Sequence, residues 1–106
     1  MISKDDFKIL NFVKLEPYSG SMDGMRYMIK RVPGEMTEGS EEKPKDRLKV
    51  TIWPEPFGIQ ATPEEQKTHE YFELSQDGVE DIADYLNKQA FDRADEWKAA
   101  KEKGLL

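Results

Sequence analysis

The sequence predicts a small α+β domain, an antiparallel sheet packed by helices, and three features carry that prediction. Residues 25–32 and 47–53 alternate apolar and polar side chains with the period of a half-buried strand. Val79, Ile82, Ala83, Leu86, Ala90, Ala94 and Trp97 recur at the period of an amphipathic helix. A chain of 106 residues suffices for one hydrophobic core and is short for two, so residues 1–106 read as a single domain.

At the start of the chain, Ser3-Lys4-Asp5-Asp6 resembles a helix N-cap with acids near the positive end of the helix dipole. Phe7, Leu10 and Val13 follow at helical spacing and predict a short N-terminal helix within residues 3–14, although the β-branched and aromatic content of KILNFVKL also suits a strand. Pro17 ends either element. The next stretch, YSGSMDG from Tyr18 to Gly24, is rich in turn formers and predicts a loop. Its glycines do not make a phosphate loop, because such loops open a helix and this one leads into a strand.

The core hairpin pairs 25–32 with 47–53. Met25, Tyr27 and Ile29, with Leu48, Val50 and Ile52, face inward, while Arg26, Met28, Lys30, Arg47, Lys49, Thr51 and Trp53 face outward. Residues 33–46, PGEMTEGSEEKPKD, offer almost nothing to bury and read as a long mobile loop. Pro54 and Pro56 cannot donate to a ladder, so the strand stops there. Phe57, Ile59 and Ala61 alternate again and outline a third short strand over 57–61.

Thr62-Pro63-Glu64-Glu65 is a helix-start signal that launches a turn or two. Tyr71, Phe72 and Leu74 form an apolar, extended patch, after which Ser75 caps the last helix, with Leu74 and Val79 placed as a hydrophobic staple. That helix, about 76–103, would be about 42 Å long at 1.5 Å per residue, longer than a domain of this size is wide. Residues 91–106 therefore bend back, project into solvent, or pack on a partner.

Composition narrows the function classes. Acids outnumber bases 22 to 16, and the net charge of −6 works against general attraction to nucleic acid or anionic membranes. With no cysteine and a single histidine, disulfides, thiolate zinc sites and cysteine nucleophiles are excluded. The first residues carry acids where a signal peptide carries bases, and no stretch approaches the length of a membrane span, so a cytoplasmic protein is expected.

Candidate contact residues are Arg26, Lys30 and Lys49 on the outer face of the hairpin, Trp53 beside its prolines, and Phe91 and Trp97 on the last helix. A basic, aromatic-bearing sheet face can hold anions, and a tryptophan beside prolines can receive an extended chain. His69 lies among Glu64, Glu65, Glu70 and Glu73 and reads as a solvated imidazole in an acidic segment. No nucleophile with an orienting partner stands out, so no catalytic residue, metal ligand set or cofactor is assigned.

At IWPEPF, TPEEQK, F-x-LS-x-DG and DYLN the chain resembles a group of small bacterial proteins without an assigned role, across the span from about the YSGS stretch to Asn87. The resemblance implies cargo of conjugative or other mobile elements, and members of the group sometimes carry the label of GNAT-type acetyltransferase. That family grips the coenzyme pyrophosphate with an R/Q-x-x-G-x-G/A stretch between strand and helix, and no such stretch is present. The leading expectation is a non-enzymatic accessory or interaction protein, meeting a protein partner or a second copy through the C-terminal helix or the Trp53 region. A small acyl-CoA-dependent acetyltransferase and a nucleic-acid accessory module are the alternatives.

Overall fold

Four antiparallel strands in the order β1-β2-β3-β4 form one meandering sheet, with helices gathered on its inner face. The computed structural model describes residues 2–3, 7–34, 45–55 and 58–104. In chain order the elements are α1 (Leu10–Val13), β1 (Tyr18–Met22), β2 (Met25–Val32), β3 (Arg47–Pro54), a 3-10 turn (Glu64–Gln66), β4 (Thr68–Glu73), α2 (Gln76–Asp92) and α3 (Ala94–Gly104). Among the described residues no helix is long and apolar enough to cross a membrane.

The core follows the alternation in β2 and β3. Met25, Tyr27, Ile29, Leu48, Val50 and Ile52 are buried together against Val79, Ile82, Ala83 and Leu86 of α2 and Trp97 of α3. Phe7, Ile9 and Val13 close one end of the same cluster. β2 and β3 are the two inner strands of the sheet, β2 pairing with β1 and β3, and β3 with β2 and β4.

Several elements differ from the sequence expectation. The N-terminal helix is a single turn beginning at Leu10, and Ile9 precedes it without a side-chain cap. YSGSMDG is a strand followed by a tight turn rather than a loop, with Asp23 and Gly24 at positive φ. Glycine is tolerated inside β1 because the Tyr27 ring covers Gly20 from the neighbouring strand, where a Cβ would come within 2.6 Å of the tyrosine oxygen. The third strand over 57–61 does not form. The backbone there turns, with Ala61 N donating to Gly58 O at 3.2 Å and the Thr62 hydroxyl donating to the same carbonyl at 2.8 Å. Phe57 itself, and residues 35–44 of the expected mobile loop, lie outside the described residues.

The expected single helix over 76–103 is two helices broken at Arg93. Neither proline nor glycine stands at the break, so its cause is tertiary packing. Beyond the break, Trp97 of α3 is 1% exposed inside the core. Its Nε1–H donates to the Gln89 carbonyl at 3.0 Å, and the Arg93 guanidinium lies 4.3 Å over the ring centre. Arg93 is itself fixed by a two-pronged bond to Glu96 at 2.8 and 2.9 Å and by Thr68 Oγ1 at 3.1 Å. The α3 backbone then lies against the β1–β2 turn, where only glycine fits. A Cβ on Gly24 would stand 2.2 Å from the Trp97 carbonyl oxygen.

Two polar contacts complete the frame. Ser75 caps α2, its hydroxyl oxygen accepting from Gly78 N at 3.0 Å while donating to the Glu73 carboxylate at 2.8 Å. The Asn87 side chain bonds both backbone groups of Ile2, accepting from its N–H at 2.7 Å and donating to its C=O at 2.8 Å.

Candidate functional site

Residues directly opposite one another in an antiparallel sheet share a face, so the register defines the outer surface row by row. One row runs Ser19, Met28, Thr51, His69; the next toward the open end of the hairpin runs Lys30, Lys49, Tyr71; the row on the other side holds Ser21, Arg26 and Trp53. The connection from β3 to β4 folds back over this surface. Its Ile59 lines two clefts at once and stands between them.

The first cleft, about 190 Å³, lies over Thr51 and is lined by Met28, Lys30, Lys49, Ile59, Glu64, Lys67 and His69. Lys30 and Lys49 face each other across β2 and β3, and among the described residues neither has a carboxylate partner. Like charges placed directly opposite on a sheet are destabilising, so the pair is not explained by stability. Thr51 is buried and its hydroxyl lies 2.9 Å from Nδ1 of His69. His69 Nε2 bonds the Glu64 carboxylate, and Lys67 Nζ lies 3.5 Å from the other oxygen of the same group. The hydrogen bond from His69 holds the Glu64 carboxyl below the usual carboxylate range, with the charges of His69 and Lys67 acting in the same direction.

Proton placement follows from this chain of contacts. A carboxylate can only accept, so neutral imidazole carries its proton on Nε2 and presents Nδ1 as acceptor to the Thr51 hydroxyl. Hydroxyl, imidazole and carboxylate in this order match the members of a nucleophile relay. An acyl-transfer site also needs free donors for the developing oxyanion. Thr51 sits mid-strand on β3, whose backbone amides are directed into ladders on both sides, so the amides beside it are already used. What the cleft offers instead is three lysines, Lys30, Lys49 and Lys67, lining it together with a buried hydroxyl.

The second cleft, about 400 Å³, is lined by Ser19, Ser21, Arg26, Met28, Trp53, Gly58 and Ile59 among others. Arg26 Nε is buried there without a hydrogen-bond partner. Trp53 faces outward, as its position in the alternation requires, yet it is 4% exposed because the returning connection covers it.

The six residues singled out in the sequence thus fall in four places. Lys30 and Lys49 meet at the cleft over Thr51, and Arg26 and Trp53 line the neighbouring cleft. Phe91 is 80% exposed near the end of α2, and Trp97 is committed to the core, so its indole offers no surface to a partner. His69 is not a merely solvated imidazole, because both ring nitrogens are engaged. Glu64, named beside His69 in the sequence, is its partner; Thr51 and Lys67 were the missing members, and the β3–β4 register is the signal that places Thr51 beside His69. Among the described residues no three His, Asp or Glu side chains gather in a metal-holding group. No family model, curated protein or solved structure matches the chain.

Proposed function

We propose that this chain is a binding module, an accessory protein without catalysis of its own, that receives an acidic segment of a protein partner on the outer face of its sheet. The observation that carries the reading is the opposed Lys30–Lys49 pair, which has no carboxylate partner among the described residues of a chain whose net charge is −6. Two cations facing each other weaken the sheet unless an anion joins them. Exposed Tyr71, next to Lys49 in the same row, adds an apolar contact of the kind protein interfaces favour. The small extent of the basic patch within an acidic molecule favours a protein partner over a nucleic acid, whose repeated phosphates would meet the surrounding acids. A bacterial mobile-element setting, which the sequence resemblance implies, suits such an accessory role.

The acetyltransferase alternative has less support. α2 follows a strand, but the Ser75 hydroxyl occupies the Gly78 amide of its first turn and the Glu73 carboxylate stands beside that cap, which disfavours a pyrophosphate there.

The test is titration of the protein with a fluorescent glutamate- and aspartate-rich peptide at low and at physiological ionic strength. Binding is expected to weaken with salt and to fall at least tenfold in Lys30→Glu and Lys49→Glu, the loss of about 1.4 kcal/mol. Equal binding by wild type and both variants, or none by wild type, sinks the reading.

A further inference from the structure

We propose that the cleft over Thr51 is a site for one doubly charged tetrahedral oxyanion, a phosphate monoester carried by the partner, and that filling it takes up a proton on His69. The inference rests on the outer face being the receptor for an acidic segment, and it specifies the group that segment presents.

Size and charge both point to a single small dianion. A cleft of about 190 Å³ accommodates one such group with water and leaves no room for a nucleotide. The charges facing it are Lys30 from β2, Lys49 from β3, Lys67 and Glu64 from the β3–β4 connection, and His69 from β4, with Tyr71 two residues further along β4. Among the described residues lining the cleft Glu64 is the one acid that opposes an anion, and it is already engaged by Lys67 and His69. Lys30 and Lys49 are left, two positive charges without a carboxylate partner among the described residues, for two negative ones.

The proton follows from the donor count. With neutral His69, the Thr51 hydroxyl hydrogen is directed at Nδ1, and the threonine turns lone pairs toward the cleft, which repels an anion. Protonated His69 is a donor at both nitrogens. It then gives Nε2–H to Glu64 and Nδ1–H to Thr51 Oγ1, and the hydroxyl hydrogen is released to point at the anion. The heavy atoms stay where they are while the floor of the cleft changes from acceptor to donor. Oxyanion and proton therefore favour one another, and the coupling is reciprocal.

His69 is the sole histidine, so its ring signals report the site without overlap. The probe is sodium sulfate, which stays doubly charged across the neutral range, set against sodium chloride at equal ionic strength. Sulfate is expected to move the His69 ring resonances toward the imidazolium position at constant pH, and to bind about fivefold or more tightly at pH 6 than at pH 8. Thr51→Val is expected to abolish that pH dependence and Thr51→Ser to keep it. A phosphoserine peptide is expected to outcompete its aspartate counterpart. If sulfate does no more than chloride while the acidic peptide still binds through Lys30 and Lys49, the oxyanion site is wrong and the broader reading stands. Failure of both ligands overturns both. Sulfate binding that is independent of pH, or equally pH-dependent in Thr51→Val, overturns the role of His69.

Discussion

The inner face of the sheet commits its side chains to packing, whereas the outer face holds a cleft with opposed lysines and a polar relay. On the inner face Met25, Ile29, Leu48, Val50 and Ile52 have no measurable exposure, and Trp97 is brought in from α3 to complete the layer. On the outer face, one strand step away, Lys30 opposes Lys49, and Thr51, His69, Glu64 and Lys67 are linked beneath a partial cover. The two faces share the same backbone, so the difference lies in the side chains alone. One face is arranged for stability, and the other carries a repulsive lysine pair whose cost the proposed binding would offset.

Substitutions on the two faces should separate these roles. Trp97→Ala removes the largest fully buried side chain and should lower stability by about 3–5 kcal/mol. Chemical denaturation would measure it, and a loss below 1 kcal/mol would mean that α3 is not part of the core. Thr51→Val preserves shape on the outer face and deletes the donor to His69. A loss of about 0.5–1.5 kcal/mol is expected, and a neutral result would show that water replaces the hydroxyl. Lys30→Glu should act in the opposite direction, raising stability by about 0.2–1 kcal/mol by converting a repulsive cross-strand pair into an attractive one. The same variant should lose the acidic peptide, and finding both effects would break the equation of stability with function on this face.

Acid should reach the outer face through Glu64. Its carboxyl titrates below the unfolded value of 4.5, so its contribution is present above that pH and is lost as pH falls through the lower, folded value. The melting-temperature difference between wild type and Glu64→Gln should therefore be seen at neutral pH and shrink as the pH falls below 4.5. An equal difference at both pH values would show that the charge of Glu64 is immaterial. The side chain is exposed, so the effect should be the smallest of the set.

The inner face was legible in the sequence because period-two alternation in β2 and β3 and the stripe on α2 are local patterns. β1 was not, since serine and glycine are weak strand formers and Tyr27 compensates for Gly20 from another strand. The break at Arg93 was also hidden, because the stripe continues through it and the cause is where Trp97 must go. On the outer face Lys30 and Lys49 could be placed together once the hairpin was paired. The joining of Thr51, Glu64, Lys67 and His69 depends on β4 and on the path of a connection that carries no periodic signal. Polar sites assembled across registers are legible only after the registers are known.

The two hydrogen bonds between Asn87 and Ile2 join positions separated by 85 residues. Closing a loop of that length costs chain entropy that few other contacts offset until the sheet and α2 have assembled. The clasp therefore forms on the downhill side of the folding barrier. Asn87→Ala should leave the refolding rate nearly unchanged and raise the unfolding rate, a pattern stopped-flow kinetics would distinguish from slowed folding. The amide of Asn87 thus acts as a latch on the lifetime of the folded state, with little part in how quickly that state is found.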